Sequence, residues 1–396
     1  MDTQTNGVIS LIKAAIAGEG VSLPADFDLG LVLDTAKQHQ ISGMLYHGAV
    51  NCGFHETAPA MQTLFAALCR SVIISEMQTK EVDVVCQAFS ENGIDHMPLK
   101  GTVLRKIYPQ AHMRLMSDAD ILIKTEQYGR IRPIMEALGF SETVESDHDY
   151  VWKKSGMVIE LHKRLMPSYN KDYFAYYRDG WKLGVLSGEA PHRYTMRPED
   201  QMIYLFTHFA KHYRSGGIGI RHLTDLYIYR KTVGELDEAY IKAELERLGT
   251  YDFYINILET VNVWFGDGTP NEKTDFITDT IFQSGAYGQA PRRKIAETVL
   301  LKRNRSLIKS EKQQYMLRML FPNMNNMTFH YSFLKKVPFL LPVMWIVRLF
   351  RIALFKREKA RSFYAYMENI SARDISDYKE ELRYVGLEFD FEEKLS

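Results

Sequence analysis

The chain has 396 residues, 46% apolar and 25% charged, with 49 basic and 49 acidic side chains and a formal net charge of zero. That length exceeds one ordinary hydrophobic core and predicts two or three domains. The balanced charge argues against broad, nonspecific nucleic-acid binding, which needs a basic face. Cys52, Cys69 and Cys86 are an odd set without Cys-x-x-Cys spacing, which suits a reducing cytoplasm and supplies no zinc site. The opening MDTQTNGVIS has neither a basic n-region nor an apolar h-region, so no signal peptide is expected.

Residues 1–90 read as an N-terminal helical region. Val8 to Ala17 and Leu29 to Gly48 show apolar recurrence at three and four residues. Gly43 is expected to break the second run in two. Met61 to Phe89 is a long helical pattern containing Leu64, Leu68, Val72, Ile73, Met77, Val84 and Val85, ended by Asn92-Gly93. This region is assigned to packing and to walling a cleft.

Residues 91–190 read as a small sheet-based core. Ile94 to Leu99 is the first expected strand. Lys100-Gly101-Thr102 follows, opening a short helix to Tyr108 that Pro109 stops. Glycine lets a backbone approach a ligand closely, and the amides of a helix start attract phosphate. Lys100 adds a positive charge and Thr102 a hydroxyl. Met116 to Lys124 is the second expected strand, and it carries Asp118 and Asp120 before Ile121-Leu122-Ile123. Side chains two apart on a strand share a face, so the two aspartates point the same way. Their repulsion is most simply relieved by a divalent cation, and oxygen ligands suit Mg²⁺ or Mn²⁺.

Tyr128 to Leu138 is an expected helix with Pro133 inside it. Asp149 to Lys153 and Met157 to His162 are expected strands, joined by Lys154-Ser155-Gly156 with hairpin chemistry. On the second of these, Glu160 alternates with Ile159 and Leu161. Glu160 is the candidate third metal ligand or general base, and His162 on the same face a candidate for phosphate contact or proton transfer. The bland alternative is a solvent-facing polar pair. Glu142, Glu145, Asp147 and Asp149 read as a solvated loop, and Tyr169 to Leu186 as aromatic and irregular.

Residues 191–396 read as a C-terminal helical domain. Pro198-Glu199-Asp200 opens a helix on which His208 and His212 share a face. Phe209 stands where a zinc-protease motif needs glutamate. Gly216-Gly217-Ile218-Gly219 is a turn, and Arg221, His222 and Asp225 lie on the next helix. His208, His212, Arg221 and Asp225 are candidates for an acceptor site, against the plainer reading of an interhelical polar network. Leu236 to Leu320 is helical, with a loop at residues 266–270. The basic residues Arg292-Arg293-Lys294 and Lys302-Arg303-Asn304-Arg305 read as a solvated face. Val337 to Phe355 is apolar enough to consider as a membrane span, but Arg348 and Arg351 disfavour it. A buried or amphipathic helix is expected there, with a membrane-surface helix as alternative. Residues 358–396 are charged and end in an acidic tail.

Leu99-Lys100-Gly101, Leu104, Tyr108-Pro109, Arg114 and Ser117-Asp118-x-Asp120-Ile121-Leu122 together resemble the uncharacterised bacterial nucleotidyltransferase family of the DNA polymerase beta superfamily. The resemblance centres on residues 90–165 and continues weakly into 208–225 and 321–351. Gly101-Thr102 stands where the superfamily has Gly-Ser or Gly-Gly. The resemblance implies an α+β fold: a small mixed β-sheet nucleotidyltransferase core flanked by N- and C-terminal helical regions. It places the third carboxylate at Glu160. It implies transfer of an NMP group from an NTP such as ATP to an acceptor hydroxyl, with Asp118, Asp120 and Glu160 holding Mg²⁺ or Mn²⁺. Lys100, Gly101, Thr102, Arg114 and His162 would meet the phosphates. The acceptor is unidentified, a small molecule or protein in preference to long nucleic acid. The alternatives are a catalytically inactive nucleotide-binding regulatory module and a membrane-surface scaffold. A cytoplasmic location is expected, with no transmembrane span.

Overall fold

The computed structural model describes residues 1–286 apart from 169, and beyond them 288–289, 292–293, 295–296, 317, 320–324, 327–328, 331–335, 337–355 and 372–387. The basic residues Lys294 and Lys302 to Arg305, and the acidic end of the chain, lie outside the described residues. The chain forms two compact units: Met1–Tyr213 with Gly217–Gly288, and Arg214–Gly216 with Gln289–Ser396.

The first unit opens with α1 (Thr3–Ala17), whose free amides Asp2 caps and which Gly18 ends in the left-handed region. A 3₁₀ turn at Leu29–Val32 leads into α2 (Leu33–Gln38), and α3 (Ser42–Asn51) follows. The break between α2 and α3 falls at Gln40, with φ 59, and not at Gly43, which sits inside α3. The reason is His39. Its buried ring accepts from the Ile220 amide at 3.2 Å and lies 3.0 Å from the Phe282 carbonyl, so the chain must turn there.

The 33-residue helix α4 (Pro59–Glu91) carries a buried stripe at three- and four-residue spacing: Leu64, Leu68, Ser71, Ser75, Gln78, Val82, Val85 and Phe89. That stripe is apolar at both ends and polar in the middle. Ile73, Met77 and Val84 are exposed, so several apolar side chains of the helix lie off the buried stripe while Ser71, Ser75 and Gln78 lie on it.

The α+β core follows. Its elements are β1 (His96–Pro98), α5 (Gly101–Leu104), β2 (Ala119–Ile123), α6 (Tyr128–Ala137), β3 (Ser141–Glu145), β4 (Asp149–Lys154) and β5 (Met157–His162). The sheet order is β1-β2-β5-β4-β3, with β2 and β5 parallel and every other neighbouring pair antiparallel. One face packs on α4 and α6 through Ala119, Ile121, Ile123, Ile159, Leu161 and the fully buried Trp152. β3 occupies part of the stretch expected to be a solvated loop. Its polar sequence Ser-Glu-Thr-Val-Glu is what an edge strand carries, so it gave no strand signal. Asp149, expected in that loop, is buried at the start of β4.

Helix α7 (Lys171–Tyr177) and the hairpin β6 (Gly184–Leu186) and β7 (Tyr194–Met196) give order to the stretch expected to be irregular. Then come α8 (Pro198–Arg214), α9 (Arg221–Val233), α10 (Glu238–Arg247), α11 (Tyr251–Phe265) and α12 (Glu272–Ser284). In the second unit, α13 (Leu341–Phe355) leaves Val343, Ile346 and Phe350 exposed, and α14 (Ala372–Tyr384) follows. Among the described residues no helix is long and apolar enough to cross a membrane.

The β4–β5 turn generates a test. Lys154 pairs with Met157, which leaves a two-residue loop in which Ser155 and Gly156 have φ 43 and 82. Such loops favour Asn-Gly. Ser155→Asn is expected to stabilise the protein by a few tenths of a kcal/mol, up to ~1, and Gly156→Ala to destabilise it by about 1–2 kcal/mol. Urea denaturation of the two variants should therefore move in opposite directions.

Candidate active site

The faces of the sheet separate by residue parity. Odd-numbered residues of β2 and β5 enter the core. Even-numbered ones face away from it. Parallel pairing puts Asp120 beside Glu160 and Leu122 beside His162, and β4 adds Asp149 opposite His162. Asp118 directly precedes β2. The sheet thus gathers Asp118, Asp120, Asp149, Glu160 and His162.

Lys100 joins them through an unusual turn. The Leu99 amide donates to the Asp120 carbonyl at 2.9 Å, and the Thr102 amide closes the turn onto the Leu99 carbonyl at 3.1 Å. Lys100 itself has φ 46 and ψ −117, a conformation that favours glycine and costs other residues about 1–3 kcal/mol. The turn delivers its ammonium to Asp120 Oδ1 at 2.7 Å. His162 Nε2 reaches the same oxygen, also at 2.7 Å, and lies 3.6 Å from Glu160 Oε2.

The glycine after Lys100 has a packing reason. A Cβ at Gly101 would come within 2.5 Å of Arg114 Nη1 and 2.7 Å of Met116 Sδ. The Val103 amide donates to the Lys100 carbonyl at 3.1 Å, so the amides of Thr102 and Val103 are both occupied within the turn. Thr102 Oγ1 is different: it is buried and has no hydrogen-bond partner.

The electrostatics are unequal. Burial raises the Asp120 pKa, but the Lys100 ammonium and the His162 hydrogen bond outweigh that and hold it well below the usual carboxylate range. Burial lowers the Lys100 pKa, and Asp120 more than reverses it. Asp118 is raised by burial and by Asp120. Glu160 is pushed up to about 7 by burial and by repulsion from Asp118, Asp120 and Asp149. Burial and the neighbouring His162 lower His148 to about 4. Four carboxyl groups therefore meet one ammonium, and the excess negative charge falls on Glu160 and Asp118. Ligand atoms of Asp120, Glu160 and His162 lie within 4.8 Å of one another, and the two carboxylates among them supply the oxygen donors that suit a hard dication.

The other expected site residues are placed differently. Arg114 is buried and bidentate on Asp225, with Nε to Oδ1 at 3.0 Å and Nη2 to Oδ2 at 2.9 Å. Tyr108 donates to the same Oδ1 at 2.6 Å. Arg221 donates to the Leu115 carbonyl at 2.9 Å. His208 and His212 face each other with Nε2 atoms 3.1 Å apart, and burial with the Lys100 charge holds His208 well below its ordinary pKa.

Sequence reasoning missed two parts of this arrangement. Arg105 is buried, donating to Gln78 Oε1 at 2.6 Å and to the Arg114 carbonyl at 3.2 Å, so the loop after α5 is tied to the polar middle of α4. The polar stripe Ser71, Ser75 and Gln78 was its signal. His148 and Asp149 were also missed. A two-residue turn at Ser155-Gly156 sets Asp149 opposite His162, so the register could have placed Asp149.

A family model described as uncharacterised nucleotidyltransferase matches residues 25–266, more than half of the chain. No curated protein matches. A solved structure of the antibiotic-resistance factor ANT(2'')-Ia is similar at 13% identity, over 43% of this chain and 92% of its own, with a TM-score of 0.32.

The Arg114–Asp225 pair is a buried brace by its geometry, which predicts how it fails. Asp225→Ala leaves a buried guanidinium unpaired and is expected to cost about 3–5 kcal/mol. Replacing both partners, Arg114→Met with Asp225→Leu, should recover most of that loss. Chemical denaturation of the single and double variants measures it.

Proposed function

The chain belongs to the uncharacterised nucleotidyltransferase family, and from that premise we propose that it moves an NMP group from a nucleoside triphosphate to an acceptor hydroxyl, the hydroxyl oxygen bonding the α-phosphorus as pyrophosphate leaves. The proposal includes membership of the DNA polymerase beta superfamily, on the order of its glycine-opened helix, Asp-x-Asp and third carboxylate. The observation that carries the reading is the cluster of Asp118, Asp120 and Glu160, in which burial and repulsion from the neighbouring carboxylates raise Glu160 to about 7.

Asp118, Asp120 and Glu160 are the residues that would hold Mg²⁺ or Mn²⁺, whose chemistry there is to neutralise phosphate charge and to acidify an acceptor hydroxyl. Lys100 supplies the nearest cation for the triphosphate. The unpartnered Thr102 hydroxyl supplies a donor for a phosphate oxygen. Glu160 accepts the acceptor's proton, for which a pKa near the working pH is suited. His162 holds Asp120 in place through Nε2. Arg114 and Asp225 brace the loop that carries the aspartates, and His208, His212 and Arg221 remain candidates for contact with a small-molecule or protein acceptor. An inactive binding module is the second reading, and it would be the better one if no acidic group lay beside the aspartates. Glu160, in register with Asp120, supports the active reading.

Purified protein with NTP labelled at the α-phosphate, Mg²⁺ and a cell extract is expected to transfer label to an acceptor. Asp118→Ala with Asp120→Ala should abolish transfer; equal labelling by this variant and the wild type refutes the proposal.

Glu160 also gives a pH test. Its folded-state pKa is raised from 4.5 to about 7. Its proton therefore stabilises the fold fully below about 4.5, and that contribution is lost as pH rises through about 7. In metal-free buffer at pH 8, Glu160→Gln is expected to be more stable than the wild type by on the order of 2–3 kcal/mol. The two should converge toward pH 4.5. Mg²⁺ should narrow the gap at pH 8 by stabilising the wild type, and the variant should lose transfer. Denaturation midpoints across pH measure this.

A further inference from the structure

We propose that His148, Asp149 and His162 form a second metal site, built from nitrogen and oxygen donors and suited to a transition-metal dication such as Zn²⁺. It adjoins the transfer residues through His162 and does not depend on nucleotidyl transfer.

The first observation is geometric. One ligand atom from each of the three side chains lies within 4.8 Å of the other two. The residues come from the strand pair β4–β5 and the loop just before β4, where the register sets Asp149 opposite His162. Ligand atoms around a tetrahedral ion at about 2.0–2.1 Å stand about 3.3 Å apart. Of the three, the His148 side chain is the most exposed, at 21% against 7% for Asp149 and 1% for His162.

The second observation is independent and concerns His162 alone. Its side chain is 1% exposed. Nε2 sits 2.7 Å from Asp120 Oδ1, a carboxylate oxygen that can only accept, so Nε2 carries the hydrogen between them. The other nitrogen, Nδ1, is buried and has no hydrogen-bond partner among the described residues. A buried ring nitrogen left without a partner is costly. A ring that donates one N–H to a carboxylate and offers its other nitrogen to a dication is a recurring arrangement at zinc sites. Asp120 supplies that carboxylate here.

The third residue is already oriented. Asp149 Oδ1 accepts from Ser146 Oγ at 2.6 Å, and Oδ2 lies 3.3 Å from His148 Nδ1. Two imidazoles and one carboxylate form a three-ligand set that leaves a fourth position open to water or to an incoming oxygen. Nitrogen donors favour Zn²⁺, Co²⁺ or Ni²⁺ over Mg²⁺. An ion on Nδ1 would also fix His162 in the tautomer that donates to Asp120, which links this site to the transfer residues.

The test is equilibrium dialysis of tag-free, full-length protein against Zn²⁺ alone, with Co²⁺ as a spectroscopic probe. The wild type is expected to bind one equivalent of Zn²⁺ that excess Mg²⁺ does not displace, and Co²⁺ should give the visible bands of a four-coordinate nitrogen–oxygen site. His148→Gln and Asp149→Asn should each weaken Zn²⁺ binding at least ~10-fold. Glu160→Gln should leave it unchanged. Asp149→Asn keeps the acceptor for Ser146, and His148→Gln alters a part-exposed side chain, so melting curves will identify either variant that fails to fold and the other then decides. Absence of Zn²⁺ binding by the wild type overturns the proposal. So does undiminished binding by the folded variants, or a loss in Glu160→Gln equal to that in His148→Gln. Because no nucleotide is present, a failure here is distinct from a failure of nucleotidyl transfer.

Discussion

One carboxylate oxygen holds the site together. Asp120 Oδ1 accepts from Lys100 Nζ and from His162 Nε2, both at 2.7 Å and both out of bulk water. The three residues come from the β1–α5 turn, from β2 and from β5, so the contact fastens three separate segments at one point. A buried carboxylate is tolerated when donors surround it. Here the donors also bring a glycine-like backbone at Lys100, a local strain that the ion pair must outweigh. With Asp120 compensated, the remaining repulsion in the cluster lies on Asp118 and Glu160. That division is what makes one carboxyl strongly acidic and another titrate near neutrality on the same sheet face.

The helical parts of the first unit position this cluster. The sheet rests on α4 and α6 through its odd-numbered side chains, and that packing fixes which residues face the site. The loop between α5 and β2 is held from two sides. Arg105 reaches the polar middle of α4 through Gln78 and Ser75, and Arg114 with Tyr108 grips Asp225 on α9. Reacting groups need placement within fractions of an ångström, which loops provide only when a second layer of contacts locks them. The bidentate pair serves that end better than a surface ion pair would, because neither partner has water to turn to.

The local features were legible because they are local. Asp118 and Asp120 before a β-branched run, Glu160 by alternation with Ile159 and Leu161, and the hairpin at Ser155-Gly156 all follow from strand periodicity. The α+β class follows from the same run of elements. The errors came where burial departed from polarity. Ser75 and Gln78 are buried on α4 where Arg105 takes the Ser75 carbonyl and the Gln78 side chain as acceptors, while Ile73 and Met77 face outward. β3 escaped notice because an edge strand can be polar throughout. The break at Gln40 depends on His39 meeting α12, and the pairing of Arg114 with Asp225 joins residues 111 positions apart. No window of sequence contains either contact.

The ion pair at Lys100 bears on how such a site would receive a triphosphate. An ammonium has three donors, and Asp120 accounts for one of them. A phosphate oxygen can therefore be added to Lys100 without removing Asp120, whereas a guanidinium locked flat on a carboxylate, as in Arg114, offers no equivalent room. The same reasoning separates the two positively charged residues that sequence reading grouped together. Lys100 sits on the acidic face with donors to share, and Arg114 sits behind it with its fork closed on Asp225. The difference follows from side-chain chemistry: a rotating point charge leaves donors free to share with a second anion, and a planar fork suits a brace that must not move.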